Sequence, residues 1–129
     1  MSLRNSNSLL WVLLFGAIWG IIESTAGWVM HLFHIHYMTP ILILTGVLCM
    51  TVAVWKTNIP IAAFNVALVT ALFKMTNLFF ITIQPLSWVL APALHILLEG
   101  LVTTLILYGM QATNLMGDVK RLFIFNKRK

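Results

Sequence analysis

Charged residues are scarce in this chain of 129 residues, at 9% of the sequence, whereas hydrophobic residues account for 60%. A water-soluble domain of this composition would lack the polar side chains that cover a folded surface, so we expect an integral membrane protein. The formal charge of +5 would suggest a nucleic-acid partner in a soluble protein. Because most basic residues flank apolar segments, we predict the lipid bilayer as a partner, and no nucleic acid.

Cysteine is nearly absent, since the only one, Cys49, lies inside an apolar segment. No disulfide can form within the chain, and we expect a packed or lipid-facing thiol. The sequence also lacks a nucleophile elbow, a phosphate-binding loop and a dinucleotide-binding fingerprint. We therefore predict that the protein is not an enzyme, and we predict no cofactor.

Four apolar segments reach the roughly 20 residues that a helix needs to cross the hydrocarbon core. They cover about residues 9–33, 39–55, 60–83 and 86–110, and the connections between them are short. Short connections make successive helices antiparallel. The predicted fold is an all-α, polytopic four-helix transmembrane bundle in a single membrane domain. The remaining residues, 111–129, are predicted to form a basic amphipathic tail on the membrane surface.

Lysine and arginine are absent from the loops after the first and third predicted spans. In a four-helix topology the opposite side receives most of the basic residues, which makes it the cytoplasmic side by the positive-inside rule. These residues are Arg4, Lys56, Lys120, Arg121, Lys127, Arg128 and Lys129. Both termini are therefore predicted to be cytoplasmic.

Three of the few charged residues lie inside the predicted spans, namely Glu23, Lys74 and Glu99. An ionisable group at bilayer depth costs at least about 2.5 to 3.5 kcal/mol, so it is retained where it pairs, faces a cavity or contacts something polar. A rise of about 1.5 Å per residue from the cytoplasmic helix ends predicts depths of roughly 21 Å for Glu23 and Lys74. The same rise predicts roughly 22 Å for His95 and roughly 16 Å for Glu99. We expect these four residues to form one layer near the midplane.

Helical spacing groups the polar residues further. His95 and Glu99 share a face of the fourth helix, and Thr70, Lys74 and Asn77 form a stripe on the third. In one interpretation the three buried charges only pair with one another and hold the helices together. In the other they form a pocket for a small polar or zwitterionic ligand, or for proton transfer. The predicted ligand-binding residues are then Glu23, Lys74, Asn77, His95 and Glu99.

Three histidines, His31, His34 and His36, cluster at the end of the first helix. They fit either a solvated interfacial cluster or a site for a transition metal such as zinc or nickel, although no cysteine or carboxylate lies near to complete such a site. A haem b site is not predicted, because His95 has no second histidine at matching depth.

Gly16 and Gly20 form a small-x-x-x-small motif, which lets another helix approach closely. The motif serves either packing inside the bundle or an interface with a partner protein, and both interpretations stay open.

Three segments carry a resemblance to a known family: "LLFGAIWGIIEST", "ALFKMTN" and "APALHILLEGL". Over most of its membrane part, the chain resembles small prokaryotic membrane proteins related to the substrate-binding S components of energy-coupling factor (ECF) transporters. In those proteins a first helix with a tryptophan-glycine pair and an acid, a later A-x-x-K segment and a closing E-G segment recur.

The resemblance implies a multi-pass transport component of a prokaryotic cytoplasmic (inner) membrane, which binds a vitamin or a metal ion from outside. It assigns Gly16 and Gly20 to contact with a coupling membrane subunit that works with ATPases, and it makes Glu23, Lys74, His95 and Glu99 the ligand-facing candidates. Typical S components have more helices than are predicted here, and glycines replace their alanine-based coupling motif. The competing hypothesis is a non-catalytic accessory subunit of a larger bioenergetic or proton-conducting membrane complex, in which the buried charges anchor helices or relay protons.

Overall fold

The regular structure of the protein is helical. A computed structural model describes residues 3–80 and 85–127, and no strand occurs among them. Five α helices follow in order: α1 (Leu3–Phe33), α2 (Thr39–Thr57), α3 (Ala62–Met75), α4 (Ser87–Ala112) and α5 (Leu115–Lys127). Short 3-10 helices at His36–Met38 and Thr76–Phe80 precede α2 and extend α3. The prediction of an all-α fold is confirmed.

Four helical stretches in the described part of the chain are long and apolar enough to cross a membrane. They are Asn7–Phe33, His36–Thr57, Ala62–Phe79 and Ser87–Ala112. The chain is thus a multi-pass membrane protein with four transmembrane helices, as the hydropathy pattern predicts.

The helix ends differ from the predicted ones, because hydropathy marks the apolar part of a helix and not its polar ends. The α1 helix begins before predicted residue 9, and α2 continues past residue 55. The third helix changes from α to 3-10 geometry after Met75, and residues 81–83 of the predicted span lie outside the described residues. The predicted tail is helical as α5.

Left-handed residues separate the helices at both ends of the bundle. His34 follows α1 with φ 55°, Asn58 ends α2 with φ 58°, and Asn114 separates α4 from α5 with φ 57°. Asparagine tolerates this conformation better than most residues. The Asn58 amide donates a hydrogen bond to the Val54 carbonyl at 2.7 Å, which closes the last turn of α2.

The third helix is central to the bundle. It packs extensively against α1 and α4 and also contacts α2, whereas α2 and α4 touch each other much less. Buried side chains of the core include Trp19, Met50, Val54, Val66 and Ala67. Because α3 occupies the centre, α2 and α4 are held apart on one side of the bundle.

The α5 helix lies against the end of the bundle where α2 stops. The ring of Phe123 lies 5.7 Å from that of Trp55, and Lys120 donates a hydrogen bond to the Asn58 side chain. At the same end, Lys56 lies over the ring of Trp11 at 5.2 Å, a cation–π contact. Large apolar side chains of α5 remain exposed beside its basic residues, as expected of a helix at a membrane surface.

Candidate functional site

A cavity of about 1050 Å³ lies along the side of the bundle on which α2 and α4 are separated. We term it the α2–α4 groove. It extends from His31 and His36 at one end to Val119 and Lys120 of α5 at the other. One face of α2 lines it with Thr39, Ile43, Val47, Thr51 and Trp55. Facing residues of α4 include Ala91, Pro92, His95, Glu99, Thr103 and Ile106.

The structure brings four of the five predicted ligand-binding residues to this groove. Glu23 of α1, Lys74 of α3, and His95 and Glu99 of α4 all line it. These four residues share one cavity, whereas their common depth and their binding of a ligand stay predictions. The fifth residue, Asn77, is not among the described residues that line the groove.

Lys74 is the most deeply buried of the charged groups, with 1% of its surface exposed. Its Nζ donates a hydrogen bond to the main-chain carbonyl of Glu23 at 3.2 Å. A Cβ atom at Gly27 would lie 2.9 Å from this Nζ and 3.5 Å from Glu23 Oε1, so both charged groups flank the space left by the glycine. The ammonium of Lys74 therefore holds α1 through its main chain and lies near the Glu23 carboxylate.

A ladder of polar side chains joins α1 to α3. Thr70 Oγ1 donates to the Gly16 carbonyl at 3.0 Å, and Asn77 Nδ2 donates to the Ser24 carbonyl at 3.5 Å. In the opposite direction, Ser24 Oγ donates to the Phe73 carbonyl at 3.3 Å. A carbonyl oxygen has two lone pairs, so a helical carbonyl can accept such a bond in addition to its helical one. The predicted stripe on the third helix thus faces α1, and Asn77 belongs to this interface.

Glu99 is placed differently, in the wall of the groove between α4, α1 and α2. Its Oε1 is buried and has no hydrogen-bond partner among the described residues. The same holds for Nε1 of Trp19, a residue with 1% of its surface exposed. A Cβ atom at Gly46 would lie 2.8 Å from Glu99 Oε1 and 2.5 Å from Trp19 Cε2, the atom bonded to that Nε1. An unsatisfied acceptor and an unsatisfied donor therefore converge beside Gly46.

His95 lies one turn from Glu99 on α4 and is exposed on the groove side. Pro92, one turn further towards the His31 end, removes the amide that would bond the Trp88 carbonyl within the helix. Thr103 continues the same face as a buried hydroxyl-bearing residue. The α4 helix thus presents an imidazole, a carboxylate and a hydroxyl to the groove at successive turns.

Two of the three clustered histidines line one end of the groove, and the third does not. His31 and His36 line the groove, and the His31 ring stacks on Trp88 with centroids 5.0 Å apart. His34 is exposed in the left-handed turn after α1. Across residues 3–80 and 85–127, no group of three or more histidine, cysteine or acidic side chains is arranged to hold a metal ion. The structure therefore does not bring His31, His34 and His36 together as the predicted metal site.

Gly16 and Gly20 are buried against α3, as the internal-packing interpretation of the motif expects. A Cβ atom at Gly16 would lie 2.6 Å from Val69 Cβ, and one at Gly20 would lie 2.7 Å from Phe73 Cβ. The motif is therefore used inside the chain, where the absence of side chains lets α1 and α3 approach closely. The two glycines do not form a surface that a coupling subunit could contact.

Trp19 and Gly46 are the site residues that sequence reasoning missed. The predicted second span, residues 39–55, contains no charged residue that would indicate a site, yet Gly46 adjoins the Glu99 carboxylate and a face of α2 lines the groove. One signal existed for Trp19, since it lies four residues before Glu23 on α1 and so shares a helical face with that acid. No spacing in the sequence connects Trp19 with Gly46 or Glu99.

No protein-family model, no curated protein and no solved structure matches the chain.

Proposed function

We propose that the protein is a ligand-binding component of a membrane transport system, similar in role to the S components of ECF transporters. In this proposal the α2–α4 groove holds a small ligand at the level of Glu23, Lys74, His95 and Glu99. The observation that carries the proposal is that these groups, which come from three helices, all line one cavity of about 1050 Å³.

The groove has the properties of a binding site. Ligand pockets in proteins typically have about 300–1,000 Å³, with mostly apolar walls and a few polar groups. Ionisable residues within membrane spans mark substrate pathways when they face a cavity. Glu99 faces this cavity with a carboxylate oxygen that no described residue bonds, so its placement supports binding better than simple helix anchoring.

Purification from native membranes tests the proposed role. The tagged protein is extracted in mild detergent, and its partners are identified by mass spectrometry. A coupling membrane subunit with ATPases supports the proposal, as does ATP-dependent uptake by proteoliposomes that contain the complex. Redox or proton-pumping subunits without ATPases would contradict it. Because Gly16 and Gly20 are internal, the contact with a coupling subunit is expected on another surface.

A second candidate is an accessory subunit of a bioenergetic or proton-conducting complex. It is favoured by the length of the groove, which extends along the bundle from His36 to Lys120. In that case the groove is closed by protein and no small ligand is retained. The same purification separates the two candidates by the partners it recovers.

We also propose a cytoplasmic (inner) membrane of a prokaryote as the location, with both termini in the cytoplasm. The proposal is supported by the basic residues Lys56 and Lys120 at one end of the bundle. Single cysteines at Tyr37 and Asn126 test it in a Cys49→Ala background with a membrane-impermeant maleimide. In intact cells, labelling is expected for Tyr37→Cys only. Labelling of Asn126→Cys would show that the protein has the opposite orientation.

A further inference from the structure

The charges near the middle of the described spans do not balance. The spans contain two carboxylates, Glu23 and Glu99, and two ammonium groups, Lys56 and Lys74. Lys56 lies in the last turn of α2 over the Trp11 ring, and Lys120, which also lines the groove, is bonded to the Asn58 side chain at the same end. With both carboxylates ionised and the histidines neutral, the layer of Glu23, Lys74 and Glu99 therefore has one excess negative charge. Such a charge is costly in apolar surroundings, so a proton or another cation is expected to accompany it.

The contacts show which of the two carboxylates has no positive group beside it. Glu23 Oε1 and Lys74 Nζ flank the same space at Gly27, and Lys74 is bonded to the Glu23 carbonyl. These two residues therefore compensate one another. Glu99 has no such neighbour, because within the described residues its Oε1 lacks any hydrogen-bond partner.

The surroundings of Glu99 are built to keep the carboxylate in position. Gly46 leaves the space in which Oε1 lies, and the ring of Trp19 fills the other side of that space with its Nε1–H unpartnered. A buried polar group without a partner in a native structure requires an explanation, and a missing ligand is one. Trp19 and Gly46 thus act as positioning residues that hold Glu99 against the groove.

We propose that the groove binds a lipophilic organic monocation, with its positive group at Glu99 and its apolar body between α2 and α4. This inference rests on the proposed ligand-binding function and specifies the chemical class of the ligand. A monocation removes the excess charge, whereas a zwitterion leaves it unchanged and an anion increases it.

The rest of the groove favours an apolar body. Towards α5 it is lined by Val47, Trp55, Val102, Ile106, Leu107 and Met110. The Lys120 ammonium at that end repels a cation, so the positive group of the ligand is directed towards Glu99. Burial of an apolar body along this wall supplies affinity, while the carboxylate supplies charge selectivity.

Two ions of matched size and shape but opposite charge test the proposal: tetraphenylphosphonium and tetraphenylborate. Binding to the purified, detergent-solubilised protein is measured by equilibrium dialysis against protein-free micelles of the same detergent. We expect saturable binding of tetraphenylphosphonium, roughly tenfold or more tighter than that of tetraphenylborate. Equal binding of the two ions, or tighter binding of tetraphenylborate, would overturn the proposal, and this comparison requires no variant.

A charge-removing variant locates the site. Glu99→Gln is expected to weaken tetraphenylphosphonium binding roughly tenfold or more, because a charge-assisted contact is lost. Thr104→Val on the same helix is the control, since Thr104 bonds only the Gly100 carbonyl of its own helix and does not line the groove. Unchanged binding by folded Glu99→Gln would overturn the assignment to Glu99.

Proton competition provides a second measurement. A proton and a cation compete for one carboxylate, so binding is expected to weaken as the pH is lowered. The other titratable or charged residues that line the groove are His31, His36, His95, Glu23, Lys74 and Lys120. Any pH dependence of tetraphenylphosphonium binding that is lost in Glu99→Gln is due to Glu99. If binding depends on pH identically in the wild type and in this variant, the proposal is contradicted.

The failure of this inference is distinguishable from the failure of the proposed function. If ATPases and a coupling subunit co-purify and the transported ligand is an anion, the proposed function stands and the inference of a cation is wrong. If tetraphenylphosphonium binds at Glu99 but no transport partners are found, the inference stands and the transport role is wrong.

Discussion

The α1–α3 interface and the α2–α4 groove both contain polar groups in apolar surroundings, but the two regions differ in whether those groups have hydrogen-bond partners. In the interface, Thr70, Lys74 and Asn77 each donate to a main-chain carbonyl of α1. In the groove, Glu99 Oε1 has no partner among the described residues, and Trp19 Nε1 beside it has none either. One region satisfies its polar groups and the other does not.

The difference indicates which polar groups hold the fold and which are available for binding. Glycines bring α1 and α3 close enough for side chains to reach the second lone pair of helical carbonyls. Where α2 and α4 separate, no donor among the described residues bonds Oε1 of the Glu99 carboxylate, and the group faces a cavity instead. Stability is therefore expected to depend on the interface, and ligand binding on the groove.

Removal of the buried ammonium is expected to have the largest effect on stability. Lys74→Met breaks the bond to the Glu23 carbonyl and leaves the Glu23 carboxylate uncompensated, so the free energy of unfolding should fall by about 3–5 kcal/mol. Unfolding in mixed micelles, followed by circular dichroism, measures it. The double variant with Glu23→Gln should recover part of the loss, and a double variant no more stable than Lys74→Met would show that the two charges do not compensate each other.

Filling the close contact of Gly16 with α3 is expected to have the next largest effect. Gly16→Ala introduces a Cβ 2.6 Å from Val69 Cβ, so the free energy of unfolding should fall by about 1–3 kcal/mol. Gly109→Ala is the matched control, because a Cβ there meets nothing within 4 Å and should leave stability equal or higher. Equal melting temperatures for the two variants would contradict the close approach of α1 and α3.

Loss of one interhelical hydrogen bond is expected to have a smaller effect. Thr70→Val removes the bond to the Gly16 carbonyl, which should lower the free energy of unfolding by about 0.6 kcal/mol, and by no more than about 1.7 kcal/mol. Thr104→Val provides the comparison, since its hydroxyl bonds only within α4. A larger loss for Thr104→Val than for Thr70→Val would show that the α1–α3 bond contributes nothing.

Neutralisation of the groove carboxylate is expected to affect stability least and binding most. Glu99→Gln removes a charge that no described residue compensates, so the free energy of unfolding should stay within about 0.5 kcal/mol of wild type or increase. Thermal unfolding and tetraphenylphosphonium binding are measured on the same sample. A strong loss of stability in this variant would place Glu99 with Lys74 among the groups that hold the fold.

Composition and hydropathy were sufficient to predict the class of protein and the number of spans, because twenty apolar residues in sequence have a direct physical meaning in a bilayer. Helical spacing also predicted which residues share a face, as for His95 and Glu99. What a face contacts is a property of the assembled bundle. The Gly16 motif indicates that some helix approaches closely, and only the structure identifies it as α3.

The environment of Glu99 is a second feature of the assembled bundle that the sequence alone does not predict. Its buried surroundings come from Trp19 on α1 and Gly46 on α2, and neither residue carries a charge that indicates a contact with Glu99. A depth count along each helix predicted the neighbours that are charged. It could not predict an indole and a glycine, because the rotation of each helix about its axis is determined by packing.

The central position of α3 has a consequence for biosynthesis. The main packing partner of α1 is α3, yet α2 is synthesised between them. When the first two spans have entered the bilayer, the glycine face of α1 still lacks the helix that it fits, and the Gly16 carbonyl still lacks Thr70. The first two helices contact each other, but the bundle is expected to reach its close packing only when the third span has entered the membrane.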